Sequence, residues 1–153
     1  MRLELLVNGS PVVREIEPQE LLLDVLRDRL GLTGAKRSCD VQACGACTVL
    51  DDERPVSSCC FLAADAEGRQ VLTVEGLAER PGFDRLEDAF TRHAALQCGF
   101  CTPGMLLTVS ALLETGELTS VEEVKHGLAG NLCRCTGYRG IVDAVCEIAG
   151  VTA

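Results

Sequence analysis

The chain has 153 residues, of which 47% are hydrophobic, so it is long enough for one or two small packed domains and too apolar for a disordered segment. Aromatic residues make up only 3% of the chain and the formal net charge is −9. These values argue against nucleic acids and anionic membranes as partners, because both are bound by clustered Lys and Arg side chains. No stretch approaches the roughly 18 apolar residues of a membrane span.

The first part of the chain predicts a sheet with one helix across it. Residues 2–7 form a strand-like segment that ends at Asn8-Gly9, the strongest short signal for a type I′ hairpin turn. A returning strand is predicted over residues 11–16, and a helix is predicted over residues 18–30. Three further short strands are predicted, at residues 48–50, 55–57 and 71–74. Strands together with one helix indicate an α+β domain with the helix packed on one face of the sheet.

The second part of the chain has helical spacing. Residues 77–82 show little periodicity and are predicted to be a linker, which leaves residues 1–76 as the sheet domain and residues 83–153 as a helical domain. Apolar residues recur every three or four positions in four stretches after the linker, and this predicts a four-helix bundle. Ser120 and Glu123 are placed to form a capping box at the start of the third of these helices.

The ten cysteines are the most unusual feature of the composition. Disulfides would suit an exported protein, but the first residues contain neither the long apolar segment nor the cleavage site of a signal peptide. We therefore expect a reducing, cytoplasmic setting, in which clustered cysteines favour metal binding or catalysis. Most of the cysteines fall into two sets of four, and each set is large enough to close a tetrahedral zinc site or to hold a [2Fe–2S] cluster.

The first set contains Cys39, Cys44 and Cys47. Their Cys-x4-Cys-x2-Cys spacing is that of plant-type [2Fe–2S] proteins. Three thiolates so close in sequence converge on one cluster only if the backbone wraps around it, and Gly45 allows this close approach. The fourth ligand is one of the adjacent residues Cys59 and Cys60. A four-cysteine zinc site is the alternative, although such sites usually contain two closely spaced pairs, and a second pair is missing here.

The second set consists of two pairs, Cys98 with Cys101 and Cys133 with Cys135. Each pair lies just before a predicted helix start, where free N–H groups and partial positive charge favour an anionic cluster. Thr102 is predicted to cap the first of these helices. The spacing alone is compatible with zinc as well as with [2Fe–2S]. Because the first set is of the iron–sulfur type, two one-electron centres in one chain are expected, and this indicates an electron relay.

Three segments that contain these cysteines resemble a known family. They are residues 39–49 (CDVQACGACTV), residues 97–105 (QCGFCTPGM) and residues 130–138 (GNLCRCTGY). They are similar to the motifs of the small iron–sulfur subunit of molybdenum hydroxylases, the family of xanthine dehydrogenase, aldehyde oxidoreductase and carbon monoxide dehydrogenase. The resemblance covers nearly the whole chain. It implies an N-terminal ferredoxin-like β-grasp domain followed by a C-terminal four-helix [2Fe–2S]-binding domain. It also selects Cys59 as the fourth ligand of the first cluster, which leaves Cys60 as a small core residue.

The resemblance further implies partners and a function. In this family a large subunit carries a molybdopterin cofactor and a medium subunit often carries FAD, and the small subunit passes single electrons between them. By position, Gln97 matches the glutamine that hydrogen-bonds the pterin, and Cys135 matches the cluster ligand closest to the pterin. The chain would then be the non-catalytic electron-transfer subunit of a molybdenum-containing oxidoreductase, assembled as a cytoplasmic dimer of heterotrimers, with the substrate site in another subunit.

Two other functions are considered beside this one: a free-standing two-cluster ferredoxin and a structural zinc module. Many members of the family have glycine where this chain has Ser38 and Gln42, so a positive φ at Gln42 would cost ~1 kcal/mol or more. Cys146 lies on the apolar stripe of the last predicted helix and is expected in the core. No Ser-His-Asp, Walker or dinucleotide-binding motif is visible, so no independent catalytic site is expected.

Overall fold

The computed structural model describes residues 1–152 and contains one five-stranded mixed sheet with the strand order β2-β1-β5-β3-β4. The strands are β1 (Arg2–Val7), β2 (Ser10–Glu15), β3 (Thr48–Asp51), β4 (Arg54–Ser57) and β5 (Gln70–Leu72). Strands β1 and β5 are parallel, and the other neighbouring strands are antiparallel. This order is that of a β-grasp sheet, so the predicted α+β fold is confirmed.

The first hairpin has the predicted turn. Val7 pairs with Ser10, and the two residues between them, Asn8 and Gly9, have φ angles of 51° and 77°. Positive φ at both central positions defines the type I′ turn, which matches the right-handed twist of the flanking strands. The β3–β4 turn has the same backbone signs at Asp52 and Glu53, although neither residue is a glycine.

The helix across the sheet is shorter than the spacing predicts. Helix α1 begins at Leu22 (Leu22–Asp24) and continues as a π-helical turn over Val25–Arg29, in which the N–H of Leu30 donates to the carbonyl of Val25 at 3.1 Å. The i→i+5 hydrogen bond of a π-helical turn encloses one residue more than the bond of an α-helical turn. Leu22, Leu23, Val25 and Leu26 are fully buried in the core between this helix and the sheet.

Among the residues that the structure describes, five helices follow the sheet. They are α2 (Val74–Leu77), α3 (Phe83–Arg92), α4 (Thr102–Thr115), α5 (Val121–Gly127) and α6 (Arg139–Ala149). Ser120 Oγ accepts the N–H of Glu123 at 3.2 Å, which confirms the predicted cap of α5. The cap predicted for α4 is wrong: the helix does start at Thr102, but Cys101 occupies the cap position and no side chain bonds to the first turn. None of the helices within residues 1–152 has the length and hydrophobicity that crossing a bilayer would require.

The two hydrophobic cores meet at strand β3, whose residues are all buried. Val49 faces the core formed with α1, whereas Leu50 belongs to the core formed with the helices after the sheet. Leu72 of β5 joins Leu50 in this second core, together with Met105 and Leu107 of α4. Helix α4 therefore packs directly on the sheet, and its first turn lies beside the loop that leads into β3.

Candidate metal centres

The first cysteine loop connects α1 to β3 and turns repeatedly. Asp40, Gln42 and Gly45 have φ angles of 53°, 57° and 68°, so three of the six residues from 40 to 45 have a left-handed backbone. In this segment an N–H group lies close to a sulfur: Ala43 N is 3.4 Å from Cys39 Sγ. Hydrogen bonds from the N–H groups of Val41 and Ala43 lower the pKa of Cys39 to about 6, so its thiolate form is stabilised before any metal is bound.

The four proposed ligands of the first set influence one another in two pairs. Cys44 contributes to the lowered pKa of Cys39, and Cys59, beside the larger effect of burial, contributes to the raised pKa of Cys47. Cys59 lies on the 3-10 turn Ser58–Cys60 after β4, and Ser58 Oγ donates to the Cys47 carbonyl at 2.6 Å. Burial raises the pKa of Cys47 to about 11. Because the buried Cys47 thiol is protonated at neutral pH, binding of a metal by its thiolate would release a proton.

Cys60 is not a core residue, so the prediction for this position is wrong. Its side chain is exposed, and its sulfur lies 3.7 Å from that of the buried Cys59. The neighbouring Cys59, in contrast, is 3% exposed and faces Cys47. A 3-10 turn points consecutive side chains in different directions, and this places only one member of the Cys59-Cys60 dipeptide inside the first set.

The second set also consists of two interacting pairs, which join two loops distant in sequence. Cys98 and Cys101 lie between α3 and α4, and Cys133 and Cys135 lie between α5 and α6. Cys135 Sγ is 3.5 Å from Cys98 Sγ, and Cys133 adds to the effect of burial on the pKa of Cys101. Burial raises the pKa of Cys101 to about 12. The N–H of Phe100 lowers the pKa of Cys98, which is exposed.

This pairwise arrangement fits a dinuclear cluster. Two irons of a [2Fe–2S] cluster are held by four thiolates, two on each iron, so the sulfurs are expected as two close pairs rather than as one compact tetrahedron. Zinc bound to four thiolates would instead place all four sulfurs about 3.8 Å from one another, given a Zn–S bond of about 2.3 Å. Within residues 1–152, no three His, Cys, Asp or Glu side chains converge as they would around a single ion.

The two sets are joined by a direct hydrogen bond. The N–H of Leu132 donates to the carbonyl of Cys44 at 2.8 Å, and Leu132 immediately precedes Cys133. A cavity of about 520 Å³ opens at this junction; it is lined by all four cysteines of the second set and by Cys44 of the first. Phe100 and Leu132, both about half exposed, form part of its apolar wall. The structure therefore brings five of the eight proposed ligands together at one junction between the two sets.

Gln97 directly precedes Cys98 and is exposed. Cys98 and Cys135, the exposed members of the second set, are in contact.

Sequence reasoning did not identify two further residues at the junction, Asn131 and Tyr138. Both lie within the motif of residues 130–138, but their contacts depend on the approach of a distant loop and on an unusual backbone angle, which the sequence does not reveal.

Comparisons with known proteins agree with this geometry. Residues 5–77 match the family described as a 2Fe-2S iron-sulfur cluster binding domain, and residues 73–146 match the family described as a [2Fe-2S] binding domain. The nicotine 6-hydroxylase small subunit of Paenarthrobacter nicotinovorans is 47% identical over 94% of this chain and 87% of its own length. The xanthine dehydrogenase iron-sulfur-binding subunit of Escherichia coli O157:H7 is 42% identical over 95% of this chain and 92% of its own length.

A solved structure shows the same fold. In the crystal structure of quinoline 2-oxidoreductase from Pseudomonas putida 86, one chain superposes with a TM-score of 0.91 and 48% sequence identity, covering 97% of this chain and 92% of that chain. In this chain the 2Fe-2S iron-sulfur cluster binding domain precedes the [2Fe-2S] binding domain, which is the order expected from the three cysteine motifs. The chain therefore belongs to the family of small iron–sulfur subunits of molybdenum hydroxylases.

Proposed function

We propose that this chain carries two [2Fe–2S] clusters and relays single electrons between a molybdopterin site in a large subunit and FAD in a medium subunit of a molybdenum-dependent hydroxylase. Cys39, Cys44, Cys47 and Cys59 would hold the first cluster, and Cys98, Cys101, Cys133 and Cys135 the second. When bound, the two clusters would supply one-electron oxidation and reduction. Residues 1–76 would form the domain of the first cluster and residues 83–153 that of the second, joined by residues 77–82.

The observation that carries this proposal is the hydrogen bond between the two ligand loops. An electron that leaves Cys133 for Cys44 would follow the backbone to Leu132 and cross one N–H···O=C bond of 2.8 Å. The contact is made between backbone atoms of the two adjoining ligand loops. A chain that used its clusters separately would have no need for ligand loops in contact with each other.

The exposed residues at the second set support a partner subunit that binds next to this set. Gln97 and the contacting pair Cys98 and Cys135 are all exposed. We propose that Gln97, whose amide both donates and accepts hydrogen bonds, contacts the pterin of the large subunit and that Cys135 is the ligand nearest to it. The first set would then face the flavin subunit. The names of the relatives, which are small or iron-sulfur-binding subunits, support a multi-subunit complex. We propose that this complex is a dimer of heterotrimers in the cytoplasm.

Low-temperature electron paramagnetic resonance (EPR) of the dithionite-reduced chain tests the proposal. Two distinct signals together with about four irons per chain are expected, as two [2Fe–2S] centres require. A single signal with half that iron would overturn the two-cluster relay. A silent spectrum with zinc in place of iron would indicate a structural module instead. Purification of the tagged chain from its source should recover two larger chains; recovery of the loaded chain alone would identify a free-standing ferredoxin.

The adjacent cysteines provide a matched test of the ligand assignment. Cys59→Ser removes a sulfur that contacts Cys47 inside the first set, so it should abolish the first signal and halve the iron content. Cys60→Ser changes the neighbouring exposed sulfur and should leave both signals in place. The opposite result, in which only Cys60→Ser loses the signal, would transfer the ligand role to Cys60.

A further inference from the structure

We infer that Asn131 and Tyr138 are positioning residues that fix the second ligand loop against the first and thereby set the distance and orientation between the two metal centres. We call the two residues the Asn131–Tyr138 clamp. Neither residue is a proposed ligand, and neither is needed to close a four-cysteine site. The inference rests on the proposed two-cluster relay and concerns how this chain holds the relay's geometry.

Asn131 is the cross-loop half of the clamp. Its side chain is 4% exposed and reaches from the second loop into the first. Asn131 Nδ2 donates to the Gly45 carbonyl at 3.1 Å and approaches Thr48 Oγ1 at 3.4 Å, while Asn131 Oδ1 accepts from Thr108 Oγ1 of α4 at 2.9 Å. One amide therefore ties the first cysteine loop, the start of β3 and helix α4 to the residue two positions before Cys133. Buried amides with all their partners satisfied are rigid, because any shift leaves a polar group unpaired.

Tyr138 is the half of the clamp that fixes the second loop itself. Its hydroxyl accepts the N–H of Cys133 at 2.9 Å and donates to the carbonyl of Asn131 at 3.0 Å. One phenol thus closes a ring that contains both Asn131 and the proposed ligand Cys133. The backbone at Tyr138 has a φ of 68°, in the left-handed region that large side chains rarely adopt. Strain of this kind is kept where the surroundings determine the conformation, which is typical of functional sites.

The two halves act on the same peptide. Asn131 precedes Leu132, whose N–H makes the 2.8 Å bond to Cys44 that joins the two sets. Asn131 is held by its side chain to Gly45, next to Cys44, and by its carbonyl to Tyr138. The peptide that links the two ligand loops is therefore fixed from both sides. Without the clamp, the ligands of each set would still be present, but the distance between the sets would no longer be defined.

The test uses Asn131→Asp and Tyr138→Phe in the full, iron-loaded chain. Aspartate has the shape of asparagine but offers two acceptors, so the bond to the Gly45 carbonyl is replaced by a repulsion. Phenylalanine removes only the hydroxyl. When both centres are reduced, their magnetic interaction splits the EPR signals, and this splitting falls steeply with distance. We expect both variants to keep the wild-type iron content, to lose most of the splitting and to show a shifted midpoint potential of one centre.

Thr73→Val is the matched control. Thr73 is buried, and its hydroxyl hydrogen-bonds to Asn8 and Glu75 at the junction of β5 and α2, away from the cysteines. This variant should lose about as much thermal stability as the two clamp variants, but it should keep the wild-type EPR splitting and midpoint potentials. The inference is overturned if the two clamp variants behave like Thr73→Val, or if either of them loses iron from both sets, because the residues would then support folding or loading rather than spacing. If the wild-type chain itself shows fewer than two signals, the proposed relay fails, whatever the variants do.

Discussion

Replacing Gly104 by alanine tests how closely helix α4 approaches the first cysteine loop. Gly104 is the third residue of α4, and a methyl group at this position would lie 2.2 Å from the Gly45 carbonyl oxygen. That oxygen cannot move away easily. It accepts hydrogen bonds from Thr48 N at 3.2 Å, Thr48 Oγ1 at 2.8 Å and Asn131 Nδ2 at 3.1 Å. The substitution therefore either strains α4 or breaks bonds that hold the two ligand loops together.

The expected magnitude follows from two opposing effects. Overpacking a closely packed site costs about 1–3 kcal/mol, and the three hydrogen bonds of the Gly45 carbonyl place Gly104→Ala at the upper end of this range. Alanine in place of glycine favours the helix by about 1 kcal/mol. The net expectation is a loss of about 2 kcal/mol, which lowers the unfolding midpoint by roughly 4–8 °C for a chain of this size.

The assay is thermal unfolding of the iron-loaded chain, followed by far-ultraviolet circular dichroism at one scan rate. Gly130→Ala is the control, because a methyl group at Gly130 would meet no atom within 4 Å and the residue lies in the same junction. Gly130→Ala should unfold at or slightly above the wild-type midpoint. If Gly104→Ala does the same, helix propensity outweighs the contact, and the close approach of α4 to the Gly45 carbonyl does not constrain the junction.

Two other predictions concern the first loop and its support. Gln42→Gly should raise stability by up to about 1 kcal/mol, because Gln42 has a left-handed backbone; Ser38→Gly, at a position without positive φ, should give no gain in the same unfolding assay. Burial acts to raise the pKa of Glu75, but hydrogen bonds from Thr73 Oγ1 and Gly34 N lower it overall. The ionised carboxylate therefore stabilises the fold above the ordinary value of 4.5, and this contribution is lost as the pH falls through the lowered pKa. Glu75→Gln should be less stable than wild type at pH 7 and equally stable in acid; a constant difference at all pH values would contradict the assignment.

The features that the sequence predicted well are those that depend on neighbours along the chain. Asn8-Gly9 specifies its turn because two consecutive residues must adopt positive φ, and no distant contact is needed. Ser120 and Glu123 define a helix start for the same reason. The spacing of Cys39, Cys44 and Cys47 likewise predicts a loop that wraps closely, and the structure shows left-handed backbone at Asp40, Gln42 and Gly45.

The features that were missed depend on tertiary contacts. Leu22, Val25 and Leu26 are spaced as in an ordinary helix, but packing on the sheet produces a π-helical turn that spacing cannot distinguish. Cys60 was expected in the core but is exposed. The direction of its side chain depends on the 3-10 turn after β4, which the sequence does not reveal. The left-handed backbone of Tyr138 is favoured by a hydroxyl that reaches back to Asn131 and Cys133, and this contact exists only in the folded loop.

The position of β3 between the two cores has a consequence for how the chain could be divided. Val49 and Leu50 are neighbours in sequence, yet each belongs to a different core. If the N-terminal half were separated, Leu50 and Leu72 would face water and the Cys44 carbonyl would lose its partner. The cut would also expose the face of α4 that packs on the sheet. The two halves of the chain are thus recognisable as separate sequence patterns but depend on each other for folding. They are therefore expected to unfold as one cooperative unit and to be inherited together rather than exchanged as modules.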